Sequence, residues 1–256
     1  MFETIELVTD ERGVATLTLI RVDKHNALSA QMIAELTQVT QQLAQDDNVR
    51  VVVLTARGKT FCAGGDQAWM QQQMVADGTT RFKEARKLAE MLQALNTLPK
   101  PLIGALQGNA FGGGIGMACI CDVAIGVDHL KMGLTETRLG IIPATIGPYV
   151  VARMGEARAR RVFMSGRIFD AGEAVDLGIL ARIVPSDKLA MAIEAEVTPY
   201  LSCAPGAVAA AKALVRDLGP CIDEAAIDHT VNALVAAWES DEAVKRIADF
   251  LNKRSR

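Results

Sequence analysis

The stretch "PLIGALQGNAFGGGIGMACIC", residues 101–121, constrains the fold more than any other part of the 256-residue chain. It carries no formal charge, and Gly112, Gly113, Gly114 and Gly116 fall within five consecutive positions. A glycine inside a helix costs about 1 kcal/mol relative to alanine. Such a run therefore marks a backbone that something approaches closely, or one that leaves ordinary φ/ψ space. An uncharged run of this length also raises a membrane span. Gln107, Asn109 and the glycines fit a span poorly and fit a buried strand, a loop and a helix well.

The flanking pattern places that unit in a parallel sheet. "TIELVTD" and "VATLTLI" alternate around "ERG" and predict a hairpin, and "SAQMIAELTQVTQQLAQ" predicts a helix capped by Ser29. "VRVVVLTARG" reads as a buried strand, followed by the loop "KTFCAGGD" and the amphipathic helix "TRFKEARKLAEMLQALNTL". "KPLIGALQG" and "DVAIGV" supply two further buried strands on either side of the glycine-run helix. Strand, loop and helix repeating with buried strands is the pattern of an α/β fold with right-handed crossovers. Beyond residue 145 the chain turns helical, with the short strand "ILARIV" and three longer helical segments from about 187 onward. The expected organisation is a core over residues 1–190 and a helical C-terminal region over 191–256.

Composition excludes several classes. Aromatic residues make up only 4%, so the core must be aliphatic, and a net charge of −3 leaves no electrostatic footprint for nucleic acid or an anionic membrane. Five cysteines without a regular framework point to a reducing cytosol, and the N-terminus has no targeting character, so a cytoplasmic protein is expected. Cys119 and Cys121 look like a metal pair only superficially and read better as buried thiols; His25, His129 and His229 are each isolated, and no metal is called for. A dinucleotide fingerprint fails because, counting from Gly112, its last glycine is Met117. The P-loop glycine required before "GKT" is Val53, and there is no G-x-S-x-G.

Two motifs hold. "FCAGGD" and "GNAFGGGIG" each follow an apolar strand, at the strand end where α/β sheets bind ligands, and the second opens a helix. Two unobstructed amides converging on one oxygen meet the requirement for stabilising an oxyanion. Tight strand–helix packing through glycine is the alternative account.

Together with "RVDKHNALS" at 21–29, "GKTFCAGGD" at 58–66, "QGNAFGGGIGMACICDVAIG" at 107–126 and "ETRLGIIP" at 136–143, these loops identify a resemblance over nearly the whole chain. The sequence resembles the crotonase (enoyl-CoA hydratase/isomerase) superfamily. That resemblance implies a crotonase (ClpP-like) fold of repeated ββα units with a helical C-terminal region that trimerises. It implies that the amides of Gly65 and Gly113 hold the oxygen of an acyl-CoA thioester while Glu136 handles the proton at Cα. Coenzyme A is then part of the substrate, and no separate cofactor is expected. Lys24 and Lys253 fall at positions that reach the CoA, and the Cys62 and Ala63 backbone is expected beside the adenine. Gly64, Asp66, Gly112 and Gly116 complete the expected set. Asp122 corresponds to an aspartate at a helix end and reads as structural.

Gly116 departs from the pattern, because many relatives carry a first glutamate there. A single carboxylate suits double-bond isomerisation, and the glycine would leave room for a branched acyl group. The run "PATIGPYVVARMGEARARR" is similar to the bacterial 3-methylglutaconyl-CoA hydratase branch and favours hydration of a branched enoyl-CoA, with Arg138 available to a distal carboxylate. A Δ3,Δ2-enoyl-CoA isomerase and an inactive CoA-binding or scaffolding paralogue are the alternatives. A homotrimer or dimer of trimers is the expected assembly.

Overall fold

The computed structural model describes residues 2–254, with side chains through residue 250. β1 (Ile5–Thr9) and β2 (Val14–Leu19) form the expected antiparallel hairpin. α1 (Ala30–Gln45) begins where Ser29 Oγ accepts from the Met32 amide at 3.2 Å, the cap expected from the sequence.

Three repeats follow. The first runs through β3 (Val51–Ala56), β4 (Thr60–Cys62), α2 (Gln67–Val75) and α3 (Gly78–Thr97). The second comprises β5 (Leu102–Leu106), β6 (Asn109–Phe111) and α4 (Gly113–Cys119). The third comprises β7 (Val123–Val127), β8 (Lys131–Gly133) and a 3-10 turn at Glu136–Leu139. Residues 101–121 thus form strand, loop and helix, and among the described residues no helix is long and apolar enough to cross a membrane.

The remainder holds α5 (Gly147–Met154), α6 (Glu156–Phe163), β9 (Ile168–Asp170), α7 (Ala171–Asp176) and β10 (Arg182–Val184). It ends with α8 (Leu189–Leu201), α9 (Pro205–Asp217), α10 (Glu224–Trp238) and α11 (Asp241–Arg254). These are four terminal helices rather than the three expected. Ser240 separates the last two: its hydroxyl donates to the Ala237 carbonyl and accepts from the Ala243 amide, closing one helix and capping the next.

A six-stranded sheet has the order β1-β2-β3-β5-β7-β10 and is parallel beyond the hairpin. The smaller sheet, β4-β6-β8-β9, takes the second strand of each repeat. Its strands have three residues each, too short for alternation to reveal them from sequence. Their pairing positions the site. Cys62 lies beside Ala110, and Phe111 beside Gly133, so the carboxyl ends of β4, β6 and β8 stand in a row. The chain leaves those ends as Ala63–Asp66, Gly112–Gly113 and Thr135–Glu136.

The core is aliphatic, as the scarcity of aromatic residues requires, with Leu17, Leu19, Leu36, Leu54 and Leu95 fully buried. A second cluster packs Trp69, Met70, Ala85 and Ala89 against Ile227, Val231, Leu234 and Trp238, fastening α10 onto α2 and α3. Asp122 ties α9 to the sheet. Its carboxylate accepts from the Leu102 amide at 2.7 Å and from Lys212 Nζ at 2.8 Å, which is the structural role read from the sequence.

Candidate active site

The first glycine loop is held by the segment before α1. Asn26 is fully buried in the left-handed region, at φ 53°, and its Nδ2 donates to the carbonyls of Arg57 and Thr60 at 2.9 and 2.8 Å. The Leu28 amide donates to the Gly64 carbonyl at 2.8 Å, and the Asp66 amide donates to the Leu28 carbonyl at 3.0 Å. In this parallel bridge the Gly65 N–H takes no part, and it has no partner among the described residues. Arg21 completes the clamp with bonds to the Ala27 carbonyl at 2.6 Å and to Asp66 Oδ2 at 2.9 Å. Asp66 Oδ1 caps α2 by accepting from the Ala68 and Trp69 amides. Burial alone would raise the Asp66 carboxyl. Arg21 and those amides outweigh burial and hold it below the usual carboxylate range.

The second loop turns at Gly112, whose φ of +49° and ψ of −116° exclude ordinary side chains. A Cβ built there would lie 2.8 Å from Glu136 Oε1 and 3.8 Å from Gly64 Cα. The missing side chain is what lets the glutamate come so close, while the first loop lies at ordinary contact distance. The next residue, Gly113, opens α4, and its N–H also has no partner among the described residues. Gly65, Gly113 and Glu136 all line one cavity of about 1160 Å³.

Glu136 starts the 3-10 turn that ends at Gly140. Its Oε2 is buried and unpaired among the described residues, and burial pushes the carboxyl up to about 7. A carboxylate so poised can accept or return a proton near neutral pH. Two unpaired amides on the same cavity can hold a developing negative oxygen.

The sequence profile of the enoyl-CoA hydratase/isomerase family matches residues 9–256. This chain belongs to that family. A Thermus thermophilus protein whose name assigns it provisionally to the enoyl-CoA hydratases is 31% identical, over 97% of this chain and 98% of its own. The solved structure of an enoyl-CoA hydratase from Shewanella pealeana is 35% identical and has a TM-score of 0.83, covering 99% of this chain and 95% of that one. Pseudomonas aeruginosa AtuE is 34% identical with a TM-score of 0.82, covering 98% and 97%. The protein is therefore an enzyme of the crotonase superfamily with an enoyl-CoA hydratase/isomerase type of function, and its repeated ββα units are that fold.

Against this family frame, Lys24, Ala63, Gly64, Gly65, Asp66, Gly112, Gly113 and Glu136 all line the cavity. Two expected residues do not. Cys62 is fully buried, and burial pushes its thiol up to about 12. Gly116 is covered: a Cβ built on it would lie 2.4 Å from Ile146 Cγ2 and 2.8 Å from Ile146 Cβ. The room expected over Gly116 is thus already filled by this chain's own isoleucine, not left for an acyl group. The side chain of Lys253 lies outside the described residues. Cys119 and Cys121 are buried thiols, as read from the sequence.

The sequence reading missed Arg21 and Asn26, which shape the first loop, and Trp69, Thr145 and Ile146, which line the cavity. Arg21 and Asn26 sat inside the quoted "RVDKHNALS" motif, so that signal was present; Thr145 and Ile146 reach the site only through a turn. The contact at Gly116 carries a prediction. Gly116→Ala is expected to destabilise the protein by about 1–3 kcal/mol through overpacking against Ile146. Thermal denaturation checks this, and Ile146→Ala in the same chain should recover part of the loss.

Proposed function

We propose that the protein hydrates a branched enoyl-CoA, of the 3-methylglutaconyl-CoA kind, with the Gly65 and Gly113 amides holding the thioester oxygen and Glu136 moving the proton at Cα. The observation that carries this reading is the Glu136 carboxyl, whose Oε2 is buried and unpaired among the described residues, on one cavity with two unpaired amides. As the substrate's double bond is attacked, charge collects on the thioester oxygen, and preorganised donors stabilise it most at that moment.

Features of the cavity support the acyl group. Ile141, Leu234 and Trp238 give it an apolar wall that suits an aliphatic acyl chain. Arg138 lines the cavity without an acidic partner among the described residues, and its guanidinium suits a distal carboxylate. Lys24, exposed at the rim, suits the CoA phosphates. Leu214 and Val215 on α9 and Leu218 at its C-cap are exposed apolar residues, which supports self-association; the assembly we propose is a homotrimer or a dimer of trimers.

Isomerisation of a 3-enoyl-CoA is the second reading, favoured by the aliphatic Ile146 seated where residue 116 would carry a second acid. Turnover of crotonyl-CoA, 3-methylglutaconyl-CoA and a 3-enoyl-CoA in ¹⁸O-labelled water separates the two. The expected result is label in a 3-hydroxyacyl product, fastest with the branched substrate. Conversion of the 3-enoyl substrate without label would replace this reading by the isomerase.

A further inference from the structure

If residue 116 carries no carboxylate, another group must hold the water that attacks Cβ. We infer that the Thr145 hydroxyl holds it. This rests on the hydratase reading above. Thr145 is only 5% exposed, yet it lines the cavity, and its hydroxyl has no hydrogen-bond partner among the described residues. A hydroxyl that opens onto a cavity wall and makes no bond to the protein is available to a water or ligand in that cavity.

Its place in the fold is the second argument. The chain turns tightly before α5, with the Ala144 amide donating to the Ile142 carbonyl at 2.8 Å and the Gly147 amide to the Ala144 carbonyl at 2.9 Å. That turn drives Ile146 onto Gly116, 2.4 Å from where a Cβ would begin. Gly116 lies one helical turn beyond Gly113 on α4, so the two share a face. The Thr145–Ile146 segment therefore occupies the place from which a residue-116 side chain would act. Ile146 fills its volume and Thr145 brings the polar atom.

In the step this supports, the water oxygen bonds to Cβ and the double-bond electrons move into the enolate held by the Gly65 and Gly113 amides. One water proton passes to Glu136, which returns it to Cα. The Thr145 oxygen accepts a hydrogen bond from the other O–H of that water and keeps its lone pair aimed at Cβ. Water plus enoyl thioester gives the 3-hydroxyacyl thioester, with no other reactant.

The test compares wild type, Thr145→Val and Thr145→Ser in two assays. One is hydration of crotonyl-CoA and 3-methylglutaconyl-CoA; the other is exchange of the Cα protons of butyryl-CoA in D₂O, which uses Glu136 and the amides but no attacking water. The expected result is a fall of about tenfold or more in hydration kcat for Thr145→Val, the loss of one hydrogen bond in the transition state. Cα exchange and KM should change less than threefold, and Thr145→Ser should restore hydration. Unchanged hydration in Thr145→Val, or an equal fall in both assays, would overturn the assignment while leaving the hydratase reading intact. Cα exchange without any hydration by the wild type would remove the hydratase reading and this inference with it.

Discussion

Glu136→Gln is expected to lower kcat by about 10²–10⁴-fold, the usual contribution of a positioned acid/base group. Glutamine keeps the shape and cannot carry the proton, while KM should change little because the amides and the cavity rim are untouched. The pH profile gives a second check. Burial pushes the Glu136 carboxyl up to about 7, and the proposed mechanism begins with its ionised form. In wild type kcat/KM should therefore rise with pH and level off above about 7, and that limb should vanish in the variant. Stability moves the opposite way. The ordinary value is 4.5, so the folded state holds this proton more tightly than the unfolded one. The resulting penalty is absent below that value, grows through the interval, and reaches about 3 kcal/mol once the folded carboxyl ionises. Glu136→Gln should thus raise Tm at pH 8 and leave it nearly unchanged at pH 4. Near-normal turnover in the variant would sink the proposed mechanism.

Gly113→Pro should cost about 10²–10³-fold in kcat, the effect of removing one oxyanion donor. Proline is well tolerated at the first position of a helix, where Gly113 stands, because the lost N–H has no intrahelical partner. The ring also adds a Cβ, which would meet Leu28 Cδ1 at 2.7 Å, the flexible end of a side chain. Gly113→Ala adds the same carbon and keeps the N–H. The kinetic gap between the two variants isolates the donor. Equal activities for Gly113→Ala and Gly113→Pro would mean that this amide does not hold the thioester oxygen.

Much of the fold was legible because local signals agreed with it. The Ile5–Thr9 and Val14–Leu19 hairpin, the Ser29 cap and the strands at 51–56, 102–106 and 123–127 stand where alternation and β-branched runs put them. α2 was not, because "QAWMQQQMV" sets no apolar stripe; it forms because Asp66 caps it and Trp69 and Met70 join the second cluster. The short strands of the smaller sheet were equally invisible one by one, since three residues define neither a period nor a face.

The sequence by itself determined the α/β class, the aliphatic core and the two glycine loops, which depend on residue types and short spacings; Glu136 was singled out only by the resemblance to the family. Only the tertiary structure decided that the strand ends at Cys62, Phe111 and Gly133 stand side by side, so that Gly64, Gly112 and Glu136 meet. It alone raised the Glu136 carboxyl to about 7, because desolvation depends on what surrounds a group, not on its neighbours in the chain. It also closed the space over Gly116 with Ile146, thirty residues further along. Whether a glycine leaves room is a question about the opposing surface, and sequence reports only the missing side chain.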